Sequence, residues 1–181
     1  SYQGGLDMGE HPIAWYHEYD GGRAYYTGGG HTKESFEEAD FLYNAKSFGE
    51  QENEQDRFIK MQGRKIYEFA LNHVPSAMKM ALEKSSVELS HLKKVLLHQA
   101  NEKMDEAIIQ RFYGLYGKET PVDIMPMSIH LLGNSSVATV PTLLDLILQG
   151  KLNGHEILPG DCVMMASVGA GMNINAIVYQ F

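Results

Sequence analysis

Cysteine is nearly absent from this sequence: Cys162 is the only one among 181 residues. A single cysteine excludes an internal disulfide and a metal cluster built from thiolates, and it favours a reducing compartment. Basic residues are also scarce, with 15 Lys and Arg against 23 Asp and Glu. We therefore expect no nucleic-acid partner, because phosphate binding needs a clustered basic surface. An acidic protein can still dock on a local basic patch.

Long apolar runs are missing as well. No uninterrupted stretch approaches the roughly 18 residues of a membrane-spanning helix, and residues 1–5 have neither the charge nor the apolar run of a signal peptide. We expect a soluble, cytoplasmic protein with no membrane partner. The missing initiator Met indicates a fragment or a processed chain. Apolar residues at 44% and charged residues at 21% are ordinary for a folded domain.

Changes in composition and residue pattern divide the chain into three parts. Residues 1–44 are rich in Gly, His and Tyr and predict short strands and tight turns. Residues 45–57 are polar and predict a solvated linker. Residues 58–181 alternate between helical and strand patterns, in an order that indicates a layered α/β domain. Within it, Pro75 is expected to open the second of two consecutive helices, and residues 122–125 are expected to form a short strand.

A histidine follows a predicted buried strand directly. Residues 95–97 are a short apolar run typical of a strand covered on both faces, and the sequence HQAN occupies residues 98–101. Side chains just beyond the carboxyl end of such a strand face the crevice in which α/β domains bind ligands. Taken alone, His98 also fits a strand-ending histidine that is satisfied by backbone hydrogen bonds.

Two glycine-containing turns follow. Residues 133–136, GNSS, open a predicted helix. Glycine lets the backbone approach a ligand, the Asn134 amide can donate to a carbonyl oxygen, and a helix N-terminus favours developing negative charge. Ordinary helix capping is the alternative. Residues 168–171, VGAG, join two apolar strands, and a plain hairpin turn accounts for them.

Together these motifs resemble the second half of β-ketoacyl-acyl-carrier-protein synthase III. The resemblance also includes FIKMQGR at residues 58–64, HVP at residues 73–75 and the tail from Gly160 to Gly171, and it covers about two thirds of the chain. It implies half of a thiolase-like fold with α/β/α layering. In that family two similar halves form five layers, usually in a homodimer.

The resemblance implies an acyltransferase of fatty acid or polyketide-type synthesis. A cysteine of the first half carries the acyl group, while His98 and Asn134 donate hydrogen bonds to the thioester carbonyl of malonyl-carrier protein as CO2 leaves. The resulting enolate attacks the acyl thioester. Preorganised donors at such a position contribute roughly 3 to 4 kcal/mol each. No metal or cofactor is implied beyond the acyl-CoA or acyl-carrier-protein thioester.

The resemblance also implies substrate contacts. Asn101 lies where the family lines the pantetheine tunnel, and Lys103 lies near a basic position that helps to dock the acidic carrier protein. Gly169 and Gly171 shape the pocket. Common members have an aromatic residue at the position of Val168, so we expect a different acyl pocket here.

The nucleophile is not evident in this chain. Cys162 lies inside a predicted strand and is interpreted as an inert core residue, since a thiolate needs a helix N-terminus or a cationic neighbour. His130 matches no catalytic position and is interpreted as a loop histidine. We therefore expect the chain to be inactive alone and to need a cysteine from a missing half. An isolated half exposes an apolar face, which predicts association with itself or with a complementary N-terminal half.

Residues 1–44 indicate a different origin. The sequences HPIAWY at 11–16 and GGRAYYT at 21–27 resemble the C-terminal end of ThuA-like, trehalose-utilisation domains. The segment is too short for a core of its own. A metal site built from the histidines of this segment is a weaker interpretation than solvated loops, and no metal is assigned. These histidines are His11, His17 and His31.

Two other functions stay open. The chain can be a non-catalytic module that keeps the fold and binds acyl chains, pantetheine or a partner half. It can also be a carbohydrate-related protein defined by its ThuA-like segment. Decarboxylation that depends on His98 separates the enzyme from the module.

Overall fold

A computed structural model describes most of the chain from residue 58 onward. It covers residues 61–169 and 173–181 apart from the Val137 side chain, and the backbone alone at residues 14–19, 22–27, 42–45 and 58–60. The strands are β1 (Ala14–Tyr19), β2 (Gly22–Thr27), β3 (Leu42–Ala45), β4 (Phe58–Met61), β5 (Leu92–Leu97), β6 (Cys162–Gly169) and β7 (Asn173–Gln180). The helices are α1 (Gly63–Ser85), α2 (Glu102–Gly114), α3 (Ile129–Leu132) and α4 (Thr139–Leu148).

A mixed sheet with the order β1-β2-β7-β6-β5 organises the fold. β5 and β6 run parallel, with Leu97 opposite Ala166, whereas β6 and β7 are antiparallel. The carboxyl ends of β5 and β6 therefore lie at one edge of the sheet. The predicted HQAN motif begins at that edge, directly after β5.

Helices cover both faces of this sheet. Val95 and Leu97 of β5 belong to the larger apolar core, which includes buried residues of α1 and α2. Leu96 belongs to a second core on the opposite face, together with Ile147 of α4. The alternation along β5 follows the pleat of a strand, in which neighbouring side chains point to opposite faces. This α/β/α layering confirms the predicted fold class.

The prediction of two helices meeting at Pro75 is wrong, because α1 is one helix of 23 residues with Pro75 inside it. A proline has no N–H for the carbonyl four residues earlier, which is that of Leu71. Arg111 of α2 supplies the missing donor: its Nη1 lies 3.1 Å from Leu71 O and 3.0 Å from Asn72 Oδ1. The neighbouring helix thus satisfies the carbonyl that Pro75 leaves without a donor.

The prediction of a strand at residues 122–125 is also wrong, because this stretch is an irregular turn. Asp123 has a φ of 59°, which lies in the left-handed region and is incompatible with a strand. The buried Lys94 donates from Nζ to Asp123 O at 2.8 Å, and the N–H of Val95 donates to Ile124 O at 2.8 Å. The turn is therefore bonded to β5 along its length.

Other predicted elements are confirmed to within one or two residues: the helix α2 and the strands β6 and β7. The turn predicted at residues 169–171 lies partly outside the described residues. β2 pairs with β7, and β3 pairs with β4 across residues 45–57. The predicted boundaries of the three parts of the chain stay a prediction.

In the described part of the chain, no helix has the length and apolar character needed to cross a membrane.

Replacing Arg111 with Met tests the account of Pro75. The Arg111→Met variant keeps the aliphatic stem of the side chain but leaves Leu71 O without its donor. We therefore expect the free energy of unfolding, measured in urea, to fall by about 1–2 kcal/mol. Arg64→Met is the control, because the exposed Arg64 pairs only with Glu68 on its own helix and should change little. Equal stability of the Arg111 variant and the wild type would contradict the account.

Candidate active site

His98 lies directly at the carboxyl end of β5. Its backbone N–H donates to Ala166 O at 2.9 Å, which extends the pairing with β6 by one residue. The side chain is half-buried, and burial lowers the pKa of His98 below its ordinary value of 6.5. The imidazole is therefore neutral at pH 7, and one ring nitrogen carries a hydrogen that can be donated.

Asn134 lies in a sharp turn after α3. Gly133 has a φ of 67° and Ser136 a φ of 53°, both in the left-handed region. The N–H of Ser136 donates to Asn134 Oδ1 at 2.8 Å. This contact is local, two residues along the chain, and Asn134 is the N-cap of neither the 3₁₀ turn Ser136–Ala138, whose N-cap is Ser135, nor α4, whose N-cap is Ala138. With its oxygen engaged, the exposed Asn134 side chain can offer its Nδ2 hydrogens to a ligand.

A buried glutamine joins the two segments that carry His98 and Asn134. Gln99 has 0% of its surface exposed, and its Nε2 donates to Pro126 O at 2.8 Å. Its Oε1 accepts from the N–H of Ser128 at 2.9 Å and from Ser128 Oγ at 3.3 Å. Ser128 precedes α3, which leads to Asn134. These bonds tie the turn after His98 to residues 126–128, six residues before Asn134, and no bond joins His98 and Asn134 among the described residues.

Sequence reasoning missed the role of Gln99, although a signal was present. Side chains alternate between the two faces of a strand, and Gln99 lies two positions after Leu97, which is buried in the core. Continuing this alternation past the end of β5 places an amide in an apolar environment. A buried amide needs partners for both its donor and its acceptor.

Three of the four predicted substrate contacts lie at the carboxyl ends of β5 and β6 or just beyond them. Asn101 is the N-cap of α2, and its Oδ1 accepts from the N–H of Met104 at 3.3 Å. Lys103 is exposed in the first turn of α2, and Gly169 is the last residue of β6. Gly171 lies outside the described residues. Substrate binding by these residues stays a prediction.

Cys162 lies at the opposite end of the sheet from His98. It is level with Leu92, the first residue of β5, and at about 3.3 Å per residue the two ends of the strand are about 17 Å apart. Cys162 is buried, and burial raises the pKa of its thiol, with a smaller contribution from Asp161. The thiol is therefore a protonated core group that is remote from the candidate site.

The metal site considered for His11, His17 and His31 lies outside what the structure describes. His11 and His31 lie outside the described residues, and only the backbone of His17 is described. Within the ranges that the structure describes, no group of three or more His, Cys, Asp or Glu side chains is arranged to hold a metal ion. His130 is exposed on α3.

Asp105 is a buried carboxyl on α2, one turn beyond Asn101. It has 0% of its surface exposed, and neither of its oxygens has a hydrogen-bond partner among the described residues. Burial, with smaller contributions from Glu102 and Glu106, raises the pKa of Asp105 to about 8. The side chain is therefore mostly protonated at pH 7, although no sequence motif marks it.

Comparison with protein-family models identifies the family of this chain. The model of the 3-oxoacyl-[acyl-carrier-protein] synthase III C terminal matches residues 82–181, more than half of the chain. The chain belongs to this family. The predicted resemblance to the second half of synthase III is thereby confirmed. A second model, that of trehalose utilisation, matches residues 1–45.

Individual synthase III proteins agree with the family match. The chain is 33% identical over 123 residues to the β-ketoacyl-[acyl-carrier-protein] synthase III of Acaryochloris marina, covering 68% of this chain and 34% of that protein. The chain thus spans about a third of the length of the curated relatives it matches.

Solved structures of synthase III share the fold. The enzyme from Thermus thermophilus superposes with a TM-score of 0.65 at 24% identity, over 87% of this chain and 45% of that one. The enzyme from Aquifex aeolicus gives a TM-score of 0.63 at 23% identity, over 87% of this chain and 43% of that one. These likenesses establish the thiolase-like α/β fold.

Replacing Asp105 with Asn tests its protonation state. Between the ordinary pKa of 3.8 and the folded pKa of about 8, the folded chain holds a proton that the unfolded chain releases. Asp105 therefore lowers stability as pH rises through this window, by up to about 1.4 kcal/mol per pH unit. We expect the Asp105→Asn variant to lose less stability than the wild type between pH 5 and 8, measured by urea unfolding. Glu119→Gln, at an exposed site, is the control, and parallel curves for Asp105→Asn and the wild type would contradict the assignment.

Proposed function

We propose that the chain is the C-terminal part of an acyltransferase of the 3-oxoacyl-[acyl-carrier-protein] synthase III type. The observation that carries the proposal is the Gln99 contact, which joins the loop after His98 to the segment leading to Asn134. Both side chains can donate a hydrogen bond. The proposed substrate is the malonyl thioester of an acyl carrier protein, and we propose no cofactor besides acyl-CoA or acyl-carrier-protein thioesters.

The proposed first step is decarboxylation of the malonyl thioester. The bond between the carboxylate carbon and Cα breaks, CO2 leaves, and the electron pair passes into the Cα–carbonyl unit as an enolate. Negative charge then develops on the thioester oxygen. His98 and the Nδ2 group of Asn134 donate hydrogen bonds to this oxygen, and fixed donors stabilise the developing charge most because they need little reorganisation.

The neutral state of His98 suits this role. A neutral imidazole donates one hydrogen bond without carrying a full charge into the site, and burial keeps the ring in this state at pH 7. The Ser136 N–H that occupies Asn134 Oδ1 leaves the donor end of the amide for substrate. Both side chains thus have their donor groups available.

The proposed second step needs a cysteine from a complementary half. The enolate carbon attacks the carbonyl of an acyl-cysteine thioester, forming a carbon–carbon bond and releasing the cysteine thiolate. Cys162 is unsuited to this step, because it is buried at the far end of the sheet from His98. The chain spans about a third of its curated relatives, and we propose that the nucleophile belongs to the N-terminal half that these relatives contain.

We propose that this half docks on the exposed apolar surface of α3. Leu131 is 69% exposed and Leu132 is 50% exposed, next to the turn that carries Asn134. Burying two leucines beside the turn stabilises a complex and brings the acyl-cysteine close to the donors. The length of the relatives beyond the matched region is what indicates this occupant.

A second function is favoured by the absence of a suitable nucleophile. As a non-catalytic module, the chain would keep the donors and bind the pantetheine thioester without carbon–carbon bond formation. The carbohydrate-related alternative is supported by the match to residues 1–45 alone. A cytoplasmic location stays a prediction.

Removing either donor tests the enzymatic proposal. We expect the chain, mixed with a cysteine-bearing N-terminal half of synthase III, to release CO2 from malonyl-carrier protein. We expect His98→Ala and Asn134→Ala each to reduce this rate by about 10²- to 10³-fold, because each variant removes one donor to the enolate oxygen. His91→Ala is the control, since His91 is exposed at the other end of β5. Full activity of either donor variant would refute its role, and inactivity of the wild-type mixture with retained pantetheine binding would favour the module.

Polar substitution on α3 tests the docking surface. The Leu131→Ser/Leu132→Ser double variant should bind the N-terminal half at least about tenfold more weakly, because two exposed leucines lose their burial. Leu115→Ser, at an exposed leucine after α2 that is 45% exposed, is the matched control. Calorimetry and light scattering give the affinity and the mass of the complex. Unchanged affinity would exclude this surface, and self-association of the chain would identify a second copy as the occupant.

A further inference from the structure

We propose that Gln99 is the positioning residue that sets the separation between His98 and Asn134. Its side-chain amide bonds the turn that follows His98 to the segment 126–128, which leads to Asn134. The catalytic consequence rests on the proposed function. The positioning itself can be measured without catalysis.

The hydrogen bonds of Gln99 follow the pattern of a strand residue. Its Nε2 donates to the carbonyl of Pro126, and its Oε1 accepts from the N–H of Ser128, two residues later. A residue in a parallel strand pair makes the same two bonds to the neighbours of the residue opposite it. The side chain of Gln99 thus replaces a backbone pairing and holds the 126–128 segment beside the end of β5.

This contact is transmitted to Asn134 through a short, fully bonded turn. The carbonyl of Ser128 accepts from the N–H groups of Leu131 and Leu132, both at 2.9 Å, and the N–H of Gly133 donates to Ile129 O at 2.8 Å. Asn134 is the next residue. Because the turn moves as one unit, a shift of Ser128 displaces Asn134.

The position of His98 is fixed independently on the other side. Its N–H is bonded to Ala166 in β6, so the His98 backbone belongs to the sheet. Loss of the Gln99 amide would therefore displace Asn134 relative to His98 rather than move both together. Gln99 therefore controls the distance between His98 and Asn134. The two side chains can donate to a single oxygen only at the right distance from each other.

The buried site makes the amide difficult to replace. Gln99 is fully buried and Ser128 is 3% exposed, so an apolar side chain at position 99 leaves Pro126 O and the N–H of Ser128 without partners. A buried polar group without a partner is unfavourable, and the segment must move to reach water. The Ser128 hydroxyl adds only the longer bond of 3.3 Å to the same oxygen.

Three variants of the full chain separate these contributions. Gln99→Met keeps the length of the side chain but has no amide. Gln99→Asn keeps an amide but is one methylene shorter, so it cannot reach both Pro126 O and the N–H of Ser128, and it remains informative if the Met variant does not fold. Gln110→Met, at an exposed position on α2, is the control for the substitution itself.

The first readout is the NMR signal of each donor in the absence of substrate. In Gln99→Met or Gln99→Asn we expect the Asn134 side-chain amide signal to shift clearly, with a smaller shift of the His98 ring. Gln110→Met should move neither signal. If either Gln99 variant is folded and leaves the Asn134 amide signal unmoved, the positioning proposal is wrong, whatever its melting temperature.

The second readout is the division between kcat and KM for release of CO2 from malonyl-carrier protein by the chain with its N-terminal half. We expect kcat to fall about 10²-fold, because a displacement of about 1 Å has this effect, while KM stays within about threefold. A folded Gln99 variant with wild-type kcat would also overturn the proposal. Activity that survives His98→Ala refutes the proposed function instead, and the NMR signals then decide the positioning role alone.

Discussion

The parallel pairing of β5 with β6 is the constraint on which the candidate site depends. In a parallel pair both strands end at the same edge, so the pairing places His98 and the end of β6 together. The same register places Cys162 at the other edge. One set of backbone hydrogen bonds therefore determines both where His98 lies and why the only cysteine of the chain is remote from it.

Burial controls the charge of the groups around this edge. His98 is half-buried and neutral at pH 7, and Asp105 is fully buried with a pKa raised to about 8. Away from this edge, Lys94 near the start of β5 bonds a backbone carbonyl, and desolvation lowers its pKa. Because His98 is half-buried, a hydrogen bond from its ring to a developing enolate is screened less than it is in water. The chain as a whole is acidic, but the candidate site does not rely on that net charge.

Much of the fold could be predicted from local patterns. The stripe that contains Met104, Ile108 and Phe112 predicted α2, and the apolar runs of β5 and β6 predicted the buried strands, because each pattern reports directly on burial. The prediction of a helix boundary at Pro75 was wrong, because the donor that keeps α1 continuous comes from Arg111, 36 positions away in sequence. No local pattern carries that information.

The residues of the candidate site also fall into those that local patterns indicate and those that they do not. His98 and Asn134 could be proposed from the sequence because each lies beside a recognisable element, within a motif that resembles one of synthase III. Gln99 and Asp105 were missed, since their importance depends on burial by residues distant in sequence. The apolar residues of the 122–125 turn suit a sheet and therefore predicted a strand. In the structure Asp123 has a left-handed backbone conformation that a strand cannot adopt, and the bond from Lys94 stabilises it.

The central claim is that an imidazole and a carboxamide reach one thioester oxygen. The most direct measurement is an NMR titration of the chain, combined with its N-terminal half, with a malonyl-pantetheine analogue that cannot lose CO2. The account predicts that the His98 ring and the Asn134 amide signals shift together, with the same dissociation constant. A shift of only one of them, or two different dissociation constants, would contradict it.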